Sequence, residues 1–208
     1  MLSRNISQRL MKTVYLAGPM VFLSDAERVF GIMKNILKNH GIRGVAPVDN
    51  QSNLKGVRPG RELHKSIYHA DVEIMNSVDG GIFDVSPFRR GTEMDAGTAF
   101  EIGYCRCLGI PMTGWTTQPL LYPEYVTEYV KDRFGQNVTK DAESSPGAKS
   151  GVIRDPDGVL VHSAGLYQNL MIQMAIEASG GSVYADSSWE TSFEKAAIHL
   201  AKLLTEKS

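Results

Sequence analysis

The stretch that decides the fold covers residues 77–109 and reads SVDGGIFDVSPFRRGTEMDAGTAFEIGYCRCLG. Its short apolar run, residues 80–85, predicts a buried β-strand that stops at Ser86-Pro87. The charged segment 88–93 predicts a loop, and the small residues after Asp95 suit the start of a helix. The stretch is therefore predicted to fold as a strand, a loop and a helix.

The predicted helix carries an acidic residue, Glu101, whose position needs an explanation. Small side chains recur at helical spacing and predict one close-packing face, formed by Ala96, Ala99, Gly103 and Cys107. Glu101 projects from a different side. One interpretation makes Glu101 a solvated surface residue and Asp95 the N-cap of the helix. The other makes Glu101 a functional carboxylate, and the motifs elsewhere in the chain favour it.

The composition limits the classes of protein to which this chain can belong. Its 208 residues, 42% hydrophobic and 22% charged, fit one globular domain with a sizeable core. A formal net charge of −1 and scattered basic residues argue against nucleic acid and favour a small neutral ligand. No apolar run approaches the roughly 18 residues that a membrane span needs, so no membrane partner is expected.

The cysteines and the first residues bear on the compartment. Cys105 and Cys107 lie two apart on the predicted helix, where their side chains diverge by roughly 200°, which disfavours a disulfide between them. The few Cys and His residues do not cluster as a zinc site does, so no metal is expected, and a cytoplasmic location is favoured. Residues 1–12 carry three basic residues and no acid. They are interpreted as a disordered leader, with a mitochondrial presequence as the alternative.

Strands and helices alternate through the first half of the chain. The predicted strands cover residues 13–17, 44–47, 80–85 and 110–115, and the predicted helices cover residues 24–41, 59–76 and a segment from 95 onwards. This order favours a single α/β domain over residues 13–208, with a Rossmann-like, flavodoxin-like parallel sheet and helices on both faces. In such a sheet, ligands bind beyond the carboxyl ends of the strands.

The second half of the chain is less regular. Residues 120–134 predict a helix, residues 135–150 an exposed loop, and residues 152–162 a hairpin around Asp155-Pro156-Asp157-Gly158. Together, residues 135–163 are interpreted as an insertion containing a small hairpin. Residues 166–178 predict a helix with an apolar stripe, within which the polar Asn169 stands out. Residues 192–204 predict a closing amphipathic helix.

Five short motifs follow one another between residues 13 and 172. They are YLAGP at residues 15–19, PVDNQ at 47–51, the acid pair Asp71 and Asp79, DAGTAFEIGY at 95–104 and NLM at 169–171. In this order, they resemble the motifs of the nucleoside 2-deoxyribosyltransferase family. The resemblance implies an enzyme that transfers 2-deoxyribose between nucleobases. Its partners would be a small-molecule deoxynucleoside and a free nucleobase, and it would need no cofactor.

The resemblance also implies roles for individual residues. Glu101 matches the nucleophile of the family, Tyr15 matches the tyrosine that orients it, and Asp71 and Asp95 match carboxylates that line the site. The implied substrate-binding residues are Gly18, in the turn after the first strand, Gln51, which matches a residue that reads the base, Asn169 and Met171. The last two match residues that reach into a neighbouring subunit's pocket, so a homo-oligomer with shared sites is expected.

The implied chemistry explains why these residue types are needed. A carboxylate that captures the oxocarbenium-like sugar and releases it to a second base retains configuration through two displacements and a covalent deoxyribosyl-glutamate. The departing base needs a proton, which a buried aspartate beside Glu101 could hold near neutral pH. Both Asp71 and Asp95 fit, and Asp71 is favoured as the acid, with Asp95 holding a sugar hydroxyl.

Two alternatives remain. The nearest is an N-glycosidase that cleaves 2′-deoxynucleoside 5′-monophosphates with the same glutamate. It would need a basic, glycine- or serine-rich phosphate cradle, whereas Pro19–Phe22 is apolar, so a nucleoside is favoured. A non-catalytic nucleotide-sensing module is the other alternative. A sensor could dispense with Glu101, Tyr15 and both aspartates, and all of them are present.

Overall fold

The computed structural model describes residues 11–49, 56–141, 152–162 and 165–206. Its strands are β1 (Thr13–Ala17), β2 (Arg43–Val45), β3 (Gly80–Asp84), β4 (Met112–Thr116), β5 (Thr139–Lys140), β6 (Ile153–Arg154), β7 (Leu160–Val161) and β8 (Val183–Ala185). Its α-helices are α1 (Ala26–Asn39), α2 (Arg61–Ser77), α3 (Ala96–Leu108), α4 (Tyr122–Phe134), α5 (Leu170–Glu177) and α6 (Trp189–Glu206). A short 3-10 helix covers Pro19–Phe22.

Five strands form a central sheet in the order β2-β1-β3-β4-β8, and every neighbouring pair is parallel. Numbered within this sheet alone, the order is 2-1-3-4-5, the flavodoxin-like order. The predicted fold class is therefore confirmed. The first four strands lie where the sequence predicted them, with small differences at the ends.

Both faces of the central sheet are covered by helices. Val14 and Leu16 of β1 pack into one core cluster with residues of α1 and α6, such as Phe30 and Phe193. Tyr15 belongs to the cluster on the opposite face, which includes residues of α2, α3 and α5. Successive side chains of a strand point to opposite faces. Burial on both sides explains why the strands read as continuous apolar runs.

Helix α3 follows the central strand β3 and is defined at both ends. The Asp95 side chain accepts a hydrogen bond from the backbone N–H of Thr98 at 2.9 Å, and Gly109 ends the helix with a φ of 71°. The prediction of a close-packing face of small residues was wrong. Three of its four members are exposed, and the buried face is instead formed by Thr98, Ile102 and Cys105. These larger side chains fill the space against the sheet, which Ala and Gly would leave open.

Three further features differ from the sequence predictions. Asn169 lies just outside α5 as its N-cap, where its side chain accepts from the Met171 N–H at 2.9 Å, so the helix begins four residues later than predicted. Strand β8 was not predicted. The predicted hairpin, β6 and β7, pairs with β5 in a three-stranded antiparallel sheet. A third strand stabilises such a sheet, because an isolated hairpin is marginal in water.

The remaining predictions on the chain have mixed outcomes. Both cysteines are free, Cys105 buried and Cys107 exposed, as expected. Most of the predicted leader lies outside the described residues, but Lys12 forms an ion pair with Asp79 at 2.9 Å. Within the ranges given above, no helix is long and apolar enough to cross a membrane.

Candidate active site

A cavity of about 550 Å³ opens beyond the carboxyl ends of β1 and β2, where a sheet of this kind binds its ligand. Its walls come from the turn after β1, the segment after β2, the inner side of α2 and the first half of α3. Most of the lining is apolar. Three carboxylates interrupt it, namely Asp71, Asp95 and Glu101. An apolar pocket with a few convergent polar groups is the usual form of a small-molecule site.

Tyr15 and Glu101 are joined directly. Tyr15, on β1, is completely buried, and its hydroxyl donates to Oε1 of Glu101 on α3 at 2.6 Å. Burial, the charge of Glu101 and this hydrogen bond raise the pKa of Tyr15 far above its ordinary value. The phenol therefore stays protonated and acts as a hydrogen-bond donor to the carboxylate.

The surroundings of Glu101 bring the pKa of its carboxyl group close to neutral pH. Burial raises the pKa of Glu101 to about 7, the hydrogen bond from Tyr15 opposes this rise, and the charges of Asp71 and Asp95 add to it. A carboxyl group that titrates near neutral pH can be an ionised nucleophile at a modest free-energy cost. This is the behaviour expected of a reactive group rather than of a solvated surface glutamate.

The two aspartates of the cavity differ in their surroundings. Burial raises the pKa of Asp71, on α2, to about 6. Asp95 is the N-cap of α3, and its Oδ2 accepts hydrogen bonds from both the backbone N–H and the hydroxyl of Thr98, at 2.9 and 3.0 Å. No described residue donates a hydrogen bond to the other carboxylate oxygen of Asp95, Oδ1. One aspartate is thus suited to hold a proton, and the other has an oxygen available to a ligand.

Gly18 lines the cavity directly after β1. Its φ is 157°, and a Cβ at this position would lie 2.6 Å from the Cβ of Asp84. A side chain here would collide with the end of β3, so glycine lets the backbone of the turn approach the site closely.

Sequence reasoning missed two residues of this region. Asp84 ends β3 and is 5% exposed, with Oδ1 accepting from the Ser86 N–H at 2.8 Å. Burial raises the pKa of Asp84 to about 6, and the charge of Asp95 adds to this. Phe22 lines the cavity, and its ring stacks on Phe88 at a centroid distance of 5.8 Å. An acid at the end of an apolar strand was the available signal for Asp84.

The described structure does not place the other predicted residues at the cavity. Gln51 falls outside the described residues. Asn169 and Met171 do not line the cavity of their own chain, and Met171 is 75% exposed. Asp79, matched as a pair with Asp71, accepts from the Thr13 N–H at 2.8 Å and from Lys12, so it ties β1 to β3 instead of facing the cavity. Among the described residues, no group of three or more His, Cys, Asp and Glu side chains could hold a metal ion.

The family model described as nucleoside 2-deoxyribosyltransferase matches residues 14–171. The chain belongs to this family. The match includes β1 from its second residue, with Tyr15, and all of β3 and α3, with Glu101. It confirms the resemblance that the five motifs predicted. Members of the nucleoside 2-deoxyribosyltransferase family act on nucleosides and nucleobases, and family membership supports an enzyme.

Three known proteins are similar to this chain. An uncharacterized protein of Schizosaccharomyces pombe is 41% identical over 194 residues, which cover 93% of this chain and 90% of that protein. The structure of a 2-desoxiribosyltransferase from Leishmania mexicana matches with a TM-score of 0.57 and 25% identity, over 90% of this chain and 98% of that one. A conserved protein from Enterococcus faecalis has the same fold, with a TM-score of 0.55, 20% identity and coverage of 95% and 99%.

Proposed function

We propose that the protein transfers 2-deoxyribose between nucleobases by a retaining double displacement in which Glu101 is the nucleophile. The observation that carries this proposal is the 2.6 Å hydrogen bond between Tyr15 and Glu101 inside a cavity that also holds Asp71 and Asp95. A metal is not needed for this reaction, because the sugar itself supplies the electrophilic carbon.

In the first displacement, a carboxylate oxygen of Glu101 forms a bond to C1′ of the sugar as the bond from C1′ to the base nitrogen breaks. The base leaves with the electron pair of that bond and takes a proton from an acid. In the second displacement, the nitrogen of another base attacks C1′ and gives up a proton, and the Glu101 carboxylate is released. Two inversions at C1′ give net retention.

Asp71 is the group best placed to hold the transferred proton. Burial raises its pKa to about 6, so it retains a proton near neutral pH more readily than an ordinary aspartate. Asp95 is already bonded to the first turn of α3 through Oδ2, and Oδ1 can accept from a sugar hydroxyl. A carboxylate fixed as a helix cap is well suited to positioning.

A second copy of the chain would complete the site. Met171 and Leu170 are 75% and 45% exposed at the start of α5, and the rings of Phe100 on α3 and Tyr68 on α2 are exposed as well. Phe100 and Tyr68 are in ring contact at 6.1 Å. Apolar side chains exposed together mark an interaction surface more often than a solvated one. This supports a homo-oligomer in which Asn169 and Met171 of one copy reach the pocket of the next.

One observation favours a second candidate, cleavage of a deoxynucleoside 5′-monophosphate. The Arg89 guanidinium lies 5.9 Å from the ring centroid of Phe22, a residue of the cavity wall. It could meet a 5′-phosphate at the mouth of the site. The sequence alone did not indicate a cation near the apolar turn after β1, because Arg89 comes from the loop after β3.

Two parallel incubations test the proposal and its rivals. The protein is mixed with a 2′-deoxynucleoside and a second free base, and in parallel with a deoxynucleoside monophosphate. We expect base exchange in the first mixture. Free sugar or sugar phosphate instead would indicate a hydrolase, and no turnover would indicate a sensor.

Intact-mass analysis provides the matched test of the nucleophile. With a slow donor and no acceptor, wild-type protein should gain one deoxyribosyl group, located on Glu101 by peptide mapping. Glu101→Gln should not gain it, whereas Glu128→Gln, on the exposed side of α4, should behave as wild type. An adduct on another residue, or full exchange by Glu101→Gln, would refute the mechanism.

A further inference from the structure

The side chain of Gln168 connects two parts of the chain that are far apart in sequence. It is completely buried. Its Nε2 donates to the backbone carbonyl of Val85 at 3.2 Å, and its Oε1 accepts from the backbone N–H of Asn169 at 2.9 Å. Val85 directly follows Asp84, the last residue of β3, at the sheet edge that carries the site. Both ends of one amide are therefore used to join Asn169 to the active-site edge.

Asn169 begins the short segment, residues 169–171, that we call the arm. The Asn169 side chain caps α5 by accepting from the Met171 N–H at 2.9 Å. A second buried amide, Gln173, accepts from the Tyr167 N–H at 2.9 Å and donates to Glu177 at 2.8 Å. The backbone that leads into the arm is thus fixed on both sides of Gln168. The Met171 side chain, in contrast, projects outward from this rigid base.

We propose that Gln168 is a positioning residue that fixes the arm relative to the end of β3 in its own subunit. With the arm fixed there, Asn169 and Met171 enter the pocket of the neighbouring subunit in the position that the reaction needs. This rests on the proposed function, in which residues of the arm complete the site of a second copy. Gln168 itself touches neither sugar nor base. It acts through Asn169 and Met171, and the reaction depends on such placement to within about an ångström.

The chemistry of the side chain fits this role. Val85 O and Asn169 N are buried backbone groups that need partners, and an amide supplies one donor and one acceptor without a charge. An apolar side chain of the same size would fill the space and leave both groups unpaired. The connection to β3 would then be lost, although α5 would keep its cap and its other amide.

A competing explanation is that Gln168 supports only its own subunit's pocket through Val85. The two explanations differ in which chain's pocket is damaged. In a shared site, the chain that supplies Glu101 is not the chain that supplies the arm. Mixed oligomers can therefore separate the two roles.

The variants are Gln168→Met, which keeps the length of the side chain but removes both hydrogen bonds, and Thr113→Val as a matched buried control. The buried Thr113 hydroxyl, on β4, donates to the backbone carbonyl of Ala196 at 3.1 Å, on the face of the sheet covered by α6, and does not line the cavity. We expect Gln168→Met to lower kcat/KM for base exchange about tenfold. Thr113→Val should keep at least half of wild-type activity at matched folded fractions. If Gln168→Met does not fold, Gln168→Asn, a shorter amide, replaces it throughout.

Two mixed dimers are then purified by separate affinity tags on their chains. In the trans dimer, one chain carries Glu101→Ala and the other Gln168→Met. In the cis dimer, one chain carries both changes and the other is wild type. If Gln168 positions the arm, the trans dimer has one intact site and about half of wild-type activity, whereas the cis dimer has one site weakened about tenfold and about a twentieth of wild-type activity. If Gln168 supports only its own pocket, the two results are exchanged, which overturns the proposal.

A trans dimer of Glu101→Ala with Asn169→Ala distinguishes this result from a failure of the proposed function. Recovery of about half of wild-type activity there supports the shared site. No recovery in that dimer, with wild-type protein still active, would show that each pocket is built within one chain, and the role of Gln168 would fall with it. Inactive wild-type protein would instead refute the proposed transfer reaction.

Discussion

The Tyr15 hydroxyl lies 2.6 Å from the Glu101 carboxylate and joins β1 to the middle of α3. Tyr15 is completely buried, so the sheet fixes the donor, and the cap at Asp95 fixes the start of the helix that carries the acceptor. The nucleophile is therefore oriented by two rigid elements instead of by a loop. Rigid support of this kind limits the free energy needed to reach the reactive geometry.

The first prediction concerns the pH dependence of this pair. Tyr15→Phe removes the hydrogen bond that favours ionised Glu101, so the Glu101 pKa should rise above its value of about 7. Since the nucleophile must be ionised, the acidic limb of kcat/KM should move to higher pH. At pH 6.5, we expect kcat/KM of Tyr15→Phe to be about tenfold or more below that of the wild type. At pH 8.5, the difference between the two proteins should be smaller.

The measurement is a pH profile of base exchange for the wild type, Tyr15→Phe and Tyr184→Phe. Tyr184 is a matched control, because its hydroxyl is hydrogen-bonded to His199, a residue of α6, at 3.0 Å, away from the cavity. A Tyr15→Phe profile with an unchanged acidic limb would show that the hydrogen bond does not control the ionisation of Glu101.

Sequence reasoning reached the residues of this pair but not their geometry. Periodicity and turn residues located β1, β3 and α3 because these elements are regular and their boundaries carry clear signals. The distance between Tyr15 and Glu101 depends on how α3 packs on the sheet, which local patterns do not contain. The three-residue strand β8 was missed because so short a segment has no measurable alternation.

Two other residues show a different limit of the sequence. Asp84 lies at the end of an apolar run, where an acidic residue indicates the end of a strand and not a buried side chain. Gln168 precedes a helix whose start was predicted four residues too early, so its amide could not be assigned to two distant backbone groups. The burial of both residues depends on tertiary contacts, which local sequence patterns do not contain.

The second prediction concerns the stability contributed by Asp84. Its folded-state pKa of about 6 lies above the ordinary value of 3.8. The folded protein therefore binds this proton more tightly than the unfolded chain does. The contribution to the free energy of unfolding is fully present below about pH 4 and is lost as the pH rises through about 6.

Asp84→Asn removes this loss and keeps an acceptor for the Ser86 N–H. Its free energy of unfolding should exceed that of the wild type by up to about 3 kcal/mol at pH 8 and equal it near pH 4. Urea unfolding at both pH values gives the difference. Because both proteins contain the other acids of the site, the contributions of those acids to the free energy of unfolding cancel in this difference. The same difference at both pH values would show that the carboxyl group is not destabilised by ionisation.

The third prediction concerns the aromatic wall of the cavity. Phe22 is 61% exposed, lines the cavity and is stacked on Phe88, and the Arg89 guanidinium lies 4.9 Å from the Phe88 ring centroid. A base that stacks on Phe22 would gain roughly 1 to 3 kcal/mol. Phe22→Leu should therefore raise KM for an acceptor base about fivefold or more, and more for purines than for pyrimidines.

The ratio of base exchange to hydrolysis is the sharper readout, because water competes with the acceptor for the same covalent intermediate. Phe134→Leu is the matched control, since Phe134 is similarly exposed, at 59%, but lies at the end of α4. Equal ratios in Phe22→Leu and the wild type would mean that the base binds away from this wall.

The last prediction assigns the acid. The active form of the enzyme needs ionised Glu101 and protonated Asp71, whose pKa values are raised to about 7 and about 6. These two groups share a site, so their protons are lost in two coupled steps, and activity should peak between about pH 6 and 7. Asp71→Asn removes a negative charge that raises the Glu101 pKa, so the acidic limb of its profile should move to lower pH.

The leaving group separates proton transfer from positioning. With deoxyadenosine, whose base leaves readily only when protonated, Asp71→Asn should lose about 100-fold or more of kcat. With 7-methyl-deoxyguanosine, whose base is already cationic and leaves without a proton, the same variant should stay within about tenfold of the wild type. Asp95→Asn should impair both substrates equally, because a group that holds a sugar hydroxyl acts on either donor. If the selective loss appears in Asp95→Asn instead, Asp95 is the acid, and the raised pKa of Asp71 reflects burial alone.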